Sequence, residues 1–360
     1  MSAVNLYDLT LEQLRESLVG LGKERFRAQQ LFQWVYQKGV EDFDQMSNLS
    51  ITFRTELKNI FYFALPKVVE RVESRDGTIK ILLDVGDGLT VEAVLIQADD
   101  RLTLCLSTEV GCNLACKFCF TGKQMLAKRL STSQIVGQFL RARDILPSAK
   151  RITNIVFMGM GEPLDNPEAV FSSIKILTEH VGIKFSRKKI TVSTSGLVPL
   201  IPLVTESGTR LAVSLNGSND EVRSAIMPIN KKYPIKQLLE ACQRHARESG
   251  DRITFEYVLL KGLTDSLEHA RQLFRLTRSV PNKINLIPFN EHPDADFVRP
   301  SQQTVHQFKN ELIRLGAHVL VRKTMGRDIY AACGQLTSKF PEHPGRMPRD
   351  QFEKAGYTTA

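Results

Sequence analysis

Cys112-Asn113-Leu114-Ala115-Cys116-Lys117-Phe118-Cys119 spaces three cysteines as C-x3-C-x2-C within eight residues. Thiolates are the standard ligands of iron–sulfur clusters, and two short intervals can wrap three sulfurs around one cubane. No fourth cysteine lies nearby, so one iron of a four-iron cluster would lack a protein ligand. An open metal position serves catalysis and is avoided in structural sites, a distinction that zinc proteins also draw. A zinc site usually wants four ligands in paired C-x2-C units, and no His pair at ligand spacing follows the triplet. Six cysteines in 360 residues, three of them in eight positions, make a poor disulfide framework. The residues therefore favour an iron–sulfur cluster, with Cys112, Cys116 and Cys119 as its ligands.

Other residues could complete such a site. In Phe157-Met158-Gly159-Met160-Gly161-Glu162-Pro163 the glycines let backbone approach a ligand closely, and Glu162 beside Gly161 could hold an ammonium group. Taken alone, Gly-Glu-Pro also makes an ordinary turn. Ser193, the stretch Ser214-Leu215-Asn216, and Asn290 each fall at the end of an expected strand, as ligand contacts or as loop caps. Three cysteines remain. Cys242 reads as a small buried hydrophobe on a helix, whereas Cys105 lies just before the triplet and Cys333 sits beside a glycine after the last strand. If both reach the cluster, they place a pair of thiols at the site.

The elements that would position these groups follow from periodicity. Residues 1–62 read as helical: Thr10-Leu11-Glu12-Gln13 is a capping-box pattern, Arg25–Tyr36 has apolar residues at helical spacing, and a further helix is expected near Ser50–Phe61. Phe32, Trp34 and Tyr36 could stack on bases, but core packing is the commoner use of such residues. Residues 67–104 alternate apolar and polar around Gly86-Asp87-Gly88, as β-hairpins do. From Leu102 onward strands and helices alternate. The expected strands are Leu102–Ser107, Asn154–Met158, Lys189–Ser193, Arg210–Ser214, Ile253–Leu259, Lys283–Pro288 and His318–Arg322. That rhythm predicts an α/β fold with a parallel sheet curled into part of a barrel, whose active site lies at the C-terminal strand ends. The expected organisation is a helical accessory region over 1–65, β-hairpins over 66–101, a barrel domain over 102–336 and a flexible tail over 337–360.

Composition bounds the partners. Hydrophobic content of 42% is ordinary for a globular protein, and no apolar run approaches membrane-spanning length. Absence of a signal pattern and the reduced thiols predict a cytoplasmic protein with no membrane partner. A net charge of +9 favours a polyanionic partner. Lys23, Arg25, Arg27, Lys38, Lys123, Lys128, Arg129, Lys184 to Lys189 and Lys231-Lys232 are candidate phosphate contacts, with a solvated basic face as the alternative for each.

The triplet with its aromatic before the third cysteine, followed one βα unit later by the Gly-Glu-Pro loop, resembles the signature of radical S-adenosylmethionine (SAM) enzymes. Phe26-Arg27-Ala28-Gln29-Gln30-Leu31-Phe32, Val91-Glu92-Ala93-Val94-Leu95-Ile96, Met227-Pro228-Ile229-Asn230-Lys231-Lys232-Tyr233 and Ala331-Ala332-Cys333-Gly334-Gln335-Leu336 add a narrower resemblance, to the RlmN/Cfr family of radical SAM RNA methyltransferases. It runs from about Leu11 to Leu336.

The resemblance implies a partial (β/α) radical-SAM barrel, a [4Fe-4S] cluster, and SAM used twice per turnover. It implies that Gly161, Glu162, Ser193, Ser214, Leu215, Asn216 and Asn290 bind SAM. The family commonly carries Ser-Leu-His where this chain has Ser214-Leu215-Asn216, and Asn can donate or accept there. The implied substrates are rRNA and tRNA. The position would be C2 of an adenosine in the peptidyl-transferase region of 23S rRNA and of the adenosine next to the anticodon in tRNA. Naked or precursor rRNA is expected as substrate, because that nucleotide is buried in the mature ribosome. An electron donor such as flavodoxin or ferredoxin and a monomeric enzyme are also expected.

Adenine C2 is electron-poor and a weak nucleophile toward a methylsulfonium, so a radical route suits it. By resemblance, one SAM methylates Cys333 and a second yields a deoxyadenosyl radical that takes hydrogen from the S-methyl group. The methylene radical adds to the base, Glu92 accepts the C2 proton, and the Cys105 thiolate attacks the Cys333 sulfur to leave a disulfide. Two competing readings are Cfr-like methylation at C8 and a non-catalytic RNA-binding assembly factor with a structural cluster. In the latter, Cys105 and Cys333 would be dispensable.

Overall fold

A computed structural model describes residues 3–292 and 295–337. The tail expected over 337–360 lies outside the described residues apart from Thr337. Ten strands form one sheet: β1 (Lys67–Glu73), β2 (Ile79–Asp84), β3 (Thr90–Ala98), β4 (Arg101–Cys105), β5 (Asn154–Phe157), β6 (Ile190–Thr194), β7 (Arg210–Ser214), β8 (Ile253–Leu259), β9 (Asn282–Pro288) and β10 (Val319–Val321). They lie in chain order, β1 to β4 joined antiparallel and β4 to β10 joined parallel. The sheet stays open, since β1 and β10 are its two edges.

The connections between parallel strands carry α4 (Thr132–Asp144), α5 (Pro167–Thr178), α6 (Ile201–Ser207), α7 (Asp220–Ile226), α8 (Ile235–Ser249), α9 (Leu267–Thr277) and α10 (Gln302–Arg314), numbered after α1 (Leu11–Gly20), α2 (Phe26–Phe32) and α3 (Ile51–Ile60). The expected strands match to within two residues at their ends; the first, expected at Leu102–Ser107, runs from Arg101 to Cys105. Helices α6 and α7 were not expected, because each is a single seven-residue stretch.

The strand sequences explain the curl. Side chains alternate between faces along a strand. Ile155, Phe157, Ile190, Val192, Leu211, Val213, Phe255, Tyr257, Ile284 and Leu286 occupy one face and belong to the apolar core. The alternate positions are mixed, with Thr191, Ser193, Ser214, Thr254, Glu256 and Asn285 polar and Val156, Ala212, Val258 and Ile287 apolar. A parallel sheet covered by helices on both faces reads as continuous apolar runs, so this alternation marks a partly polar inner face. The site opens on that face.

The N-terminal helices close onto the same core. Thr10 and Gln13 complete a capping box on α1, and Ser131 with Gln134 does the same on α4. Val4–Asn5 pairs with Phe61–Tyr62, and the Asp8 carboxylate accepts from the Ser133 N–H at 2.7 Å, tying the region to the start of α4. Phe32 and Tyr36 are fully buried, their rings 4.5 Å apart. Trp34 is only partly buried and donates to the Asn48 side chain. The aromatic stretch is therefore mostly core.

Arg223 on α7 is fully buried. Its guanidinium donates to the Leu215, Ser214 and Ser195 carbonyls and to the Asn230 side chain. It thereby fixes the ends of β6 and β7, where site residues lie. Replacing Arg223 with Met leaves those buried acceptors unpaired. We expect R223M to lose roughly 2–4 kcal/mol of stability, since each buried acceptor left unsatisfied costs about 1–3 kcal/mol, measured by denaturant unfolding. A loss near zero would show that the clamp carries no weight.

Candidate functional site

The cysteine loop follows β4, as expected for chemistry at the C-terminal strand ends. Ala115 adopts φ +50°, a left-handed conformation that turns the chain between the first two cysteines. The Cys119 N–H bonds the Cys116 carbonyl at 3.1 Å, and the Lys117 N–H bonds the Ile226 carbonyl at 2.9 Å, so the loop is held from within and from α7. At Gly122 an added Cβ would stand 2.7 Å from the Cys116 carbonyl oxygen; only glycine lets the loop close this tightly.

Cys112, Cys116 and Cys119 line one cavity together with Gly161, Glu162, Ser193, Ser214, Asn216, Asn290 and Cys333. Burial raises all three triplet thiols, Cys116 to about 12, with the neighbouring cysteines adding to the effect on Cys112 and Cys116. Three thiolates in such a place require a compensating cation. Among the described residues no three His, Cys, Asp or Glu side chains converge closely enough for a single metal ion. In a tetrahedral zinc site the sulfurs stand only about 3.8 Å apart. Three thiols spread around one cavity instead fit a multi-iron cluster, and Glu162, Ser193 and Ser214 beside them fit a polar ligand on its open iron.

The Gly-Glu-Pro loop is built to aim Glu162. Gly161 takes φ +96°, and a Cβ there would meet the Glu109 side chain at 2.6 Å. The Glu162 carboxylate accepts from the Ser195 N–H at 2.7 Å and the Leu164 N–H at 3.2 Å, yet burial still raises its pKa. Glu109, which the sequence did not single out, accepts from the Glu162 N–H at 2.9 Å. Burial pushes Glu109 up to about 8, and the neighbouring Asp165 and Glu162 carboxylates push the same way. Arg129 stands 3.7 Å from Glu109 and shares its charge with Asp165 at 2.8 Å, too exposed to offset the burial.

The remaining candidates fall in three groups. Asn216 takes φ +52°, its amide oxygen accepts from the Val258 N–H at 3.0 Å, and its nitrogen contacts the Met227 sulfur. It braces the end of β7 while lining the cavity. Leu215, between Ser214 and Asn216, does not itself line the cavity: its side chain is fully buried in the apolar core, and its N–H is bonded to the Glu256 carbonyl. Asn290 donates to the Cys333 carbonyl at 3.1 Å, so it also holds the loop that carries that thiol.

Cys333 sits where two cavities meet. It lines the cluster cavity and a second one shared with Cys105 and Arg322, and Met158, Ile287 and Asn290 also line both. Its loop is pinned by the Phe120 N–H on the Gly334 carbonyl, at 2.8 Å, and the Thr121 hydroxyl on the Leu336 carbonyl, at 2.7 Å. Glu92 is buried but lines neither cavity; its carboxylate pairs with Lys80 at 2.8 Å and accepts from the Thr337 N–H at 2.9 Å. Cys242 is fully buried in the core, as expected. Several basic candidates are already paired with acids: Lys128 with Asp87, Arg129 with Asp165 and Lys188 with Asp251. No helix among the described residues is long and apolar enough to cross a membrane.

An open curl of parallel βα units whose first loop presents three thiols, with residues 106–274 matching the Radical SAM superfamily model, defines a radical SAM enzyme. A [4Fe-4S] cluster and SAM are its cofactors. Residues 4–63 match the model of the ribosomal RNA large subunit methyltransferase N-terminal domain. The chain is 59% identical to the dual-specificity RNA methyltransferase RlmN of Bdellovibrio bacteriovorus, over 98% of this chain and 88% of that one. It is 46% identical to RlmN of Geotalea uraniireducens, over 94% and 98%. The crystal structure of a radical SAM methyltransferase from Sphaerobacter thermophilus superposes with a TM-score of 0.84 at 42% identity, covering 92% of this chain and 99% of that one. The chain belongs to the RlmN family of methyltransferases.

Glu109 gives the site a pH signature. A carboxyl whose folded pKa lies above its unfolded value contributes full stability below the unfolded value, near 4.5, and loses it as pH rises toward about 8. Glu109→Gln removes that titration and keeps an acceptor for the Glu162 N–H. Thermal unfolding midpoints at pH 5 and pH 9 should therefore differ less in E109Q than in the parent protein. Equal differences would contradict the assignment.

Proposed function

We propose that this chain methylates C2 of adenosine in 23S rRNA and of the adenosine next to the anticodon in tRNA, with Cys333 as the carrier of the methyl group. The observation that supports this reading most is the position of Cys333 at the junction of the cluster cavity and the Cys105 cavity. A thiol there is open to the cluster side and lines the same cavity as the resolving thiol.

The bound cluster and SAM supply methyl transfer and one-electron hydrogen abstraction, with two SAM per turnover. Cys112, Cys116 and Cys119 hold the cluster. Glu162, Ser193 and Ser214 stand where polar groups of SAM would lie, with Asn216 and Asn290 bracing the walls. Cys333 carries the methyl carbon and bonds it to the base, and the radical adduct so formed gives up one electron to a one-electron acceptor, a role the oxidised cluster would fill. Glu92 accepts the C2 proton and enters the reaction by exchanging its partner Lys80 for the substrate. Cys105 then attacks the Cys333 sulfur; a sulfur–sulfur bond forms, the sulfur–carbon bond breaks, and its electron pair leaves with the methylene carbon, which takes a proton. An external dithiol reduces the disulfide. We place the enzyme in the cytoplasm, acting as a monomer with flavodoxin or ferredoxin as electron donor. Structured RNA must splay the base to reach the cavity.

Nucleosides from naked rRNA and tRNA, incubated anaerobically with reconstituted protein, SAM and reductant, should contain 2-methyladenosine by mass spectrometry. An 8-methyladenosine product would replace the proposed position, and no methylated adenosine would overturn the reading. Cys333→Ala should abolish the product while leaving RNA affinity within about twofold, because a lone thiol adds little to an interface dominated by phosphate contacts. Methylation by C333A would sink the carrier role.

A further inference from the structure

Arg322 is a charged group that the reading above leaves without a task. It follows β10, and its backbone N–H is bonded to the Leu286 carbonyl at 2.8 Å, which places it next to β9 on the inner side of the curl. Its guanidinium lines the same cavity as Cys105, Cys333 and Met158. It stands 3.4 Å from the buried Glu256 carboxylate and 4.0 Å from the Met158 sulfur. Glu256 comes from β8, so the pair spans the floor between the two thiols and the cluster cavity, which Glu256 also lines.

Glu256 is buried and Arg322 partly so, and holding charge at such a place is costly unless something else uses it. Apolar residues would fill this position more cheaply, whereas here a permanent cation faces two sulfurs. Arginine keeps its charge at any working pH. We infer that Arg322 is the positioning cation of the thiol pair, stabilising the Cys105 thiolate as it attacks Cys333. This rests on the proposed resolving role of Cys105.

The charged and titratable groups around Cys105 are Cys333, Arg322, Glu256 and Lys323, which lines the same cavity. Burial raises its thiol to about 12, Cys333 raises it further, Arg322 lowers it, and Glu256 opposes Arg322 weakly. Cys333 feels the same cation, which is the largest effect opposing its burial. The step needs one pair of electrons on the Cys105 sulfur and no proton. Those electrons form the sulfur–sulfur bond, and the electron pair of the breaking sulfur–carbon bond goes to the methylene carbon. A cation beside Cys105 raises the share of deprotonated sulfur without acting as a base. Glu256 has the complementary task of orienting the guanidinium while leaving the thiols its other N–H donors.

The sign follows directly. Removing a cation at this range raises a thiol's pKa by about one or more and cuts the thiolate fraction about tenfold. Resolution then slows while radical addition does not, so the covalent protein–RNA species accumulates. Raising the pH restores the thiolate and releases it.

The experiment uses the full-length, cluster-loaded protein with naked rRNA, SAM and reductant, from pH 7 to pH 9.5. The covalent protein–RNA adduct is followed on denaturing gels, with iron content verifying each variant. Arg322→Met should accumulate adduct at pH 7.5, about tenfold above the parent protein, and lose it as pH rises. Arg322→Lys keeps the charge and should stay near the parent level. Cys105→Ala should hold the adduct at every pH. Adduct in C105A but none in R322M, or R322M adduct that ignores pH, or equal accumulation in R322K and R322M, would overturn the role of Arg322 alone. No adduct in C105A would overturn the resolving role of Cys105 and this inference with it.

Discussion

Everything in this molecule depends on bringing one sulfur, that of Cys333, to the wall shared by two cavities. The thiol arrives on the last described loop of the chain, far in sequence from the cluster loop it meets. No single element could hold it there. The Phe120 N–H and the Thr121 hydroxyl bind its loop from the cluster side, and the Asn290 amide binds it from β9. Because these partners also shape the cluster cavity, a displaced Cys333 loop would disturb the cluster loop, and the reverse. The two cavities are thus mechanically joined, which suits the proposed reaction, in which one atom would load, activate and release the methyl carbon.

Burial is the second constraint, and it runs against the first. Five cysteines and two carboxylates, Glu162 and Glu256, stand in or beside the mouth of the curl, and desolvation penalises the charged form of each thiol there. The fold answers with opposing groups placed one by one. Backbone N–H groups of Ser195 and Leu164 serve Glu162, and Arg322 serves the Cys105 and Cys333 side. Arg223, farther down, donates to carbonyls rather than to an acid, so its charge holds backbone rather than substrate. The buried Arg223 and the partly exposed Arg322 therefore do different work, distinguished by what their donors face.

Much of this was legible in the sequence, for physical reasons. The triplet spacing is dictated by cluster size, and the parallel strands betray themselves by β-branched alternation, so both survive without structural knowledge. What stayed hidden depends on register and on contacts between distant segments. Glu92 looks like an exposed strand glutamate, yet its partner on β2 is Leu82, and Lys80, two residues away on the same face, reaches its carboxylate. Leu215 lies between two cavity-lining residues and itself faces the core, a consequence of strand alternation that motif matching ignores. Glu109 and Arg322 carry no local signal at all. Each is an ordinary charged residue until the fold sets it beside a carboxylate or a thiol. Helices α6 and α7 were missed because seven residues do not display a helical period.

The central claim is that the methyl carbon passes through Cys333, and isotope tracing tests it most directly. The protein is first exposed to SAM with a labelled methyl group, without RNA or reductant, and freed of that SAM. It is then given naked rRNA, reductant and unlabelled SAM for a single turnover. The account predicts that the first equivalent of methylated adenosine carries the labelled carbon. Unlabelled product from protein whose Cys333 bears the label would contradict it.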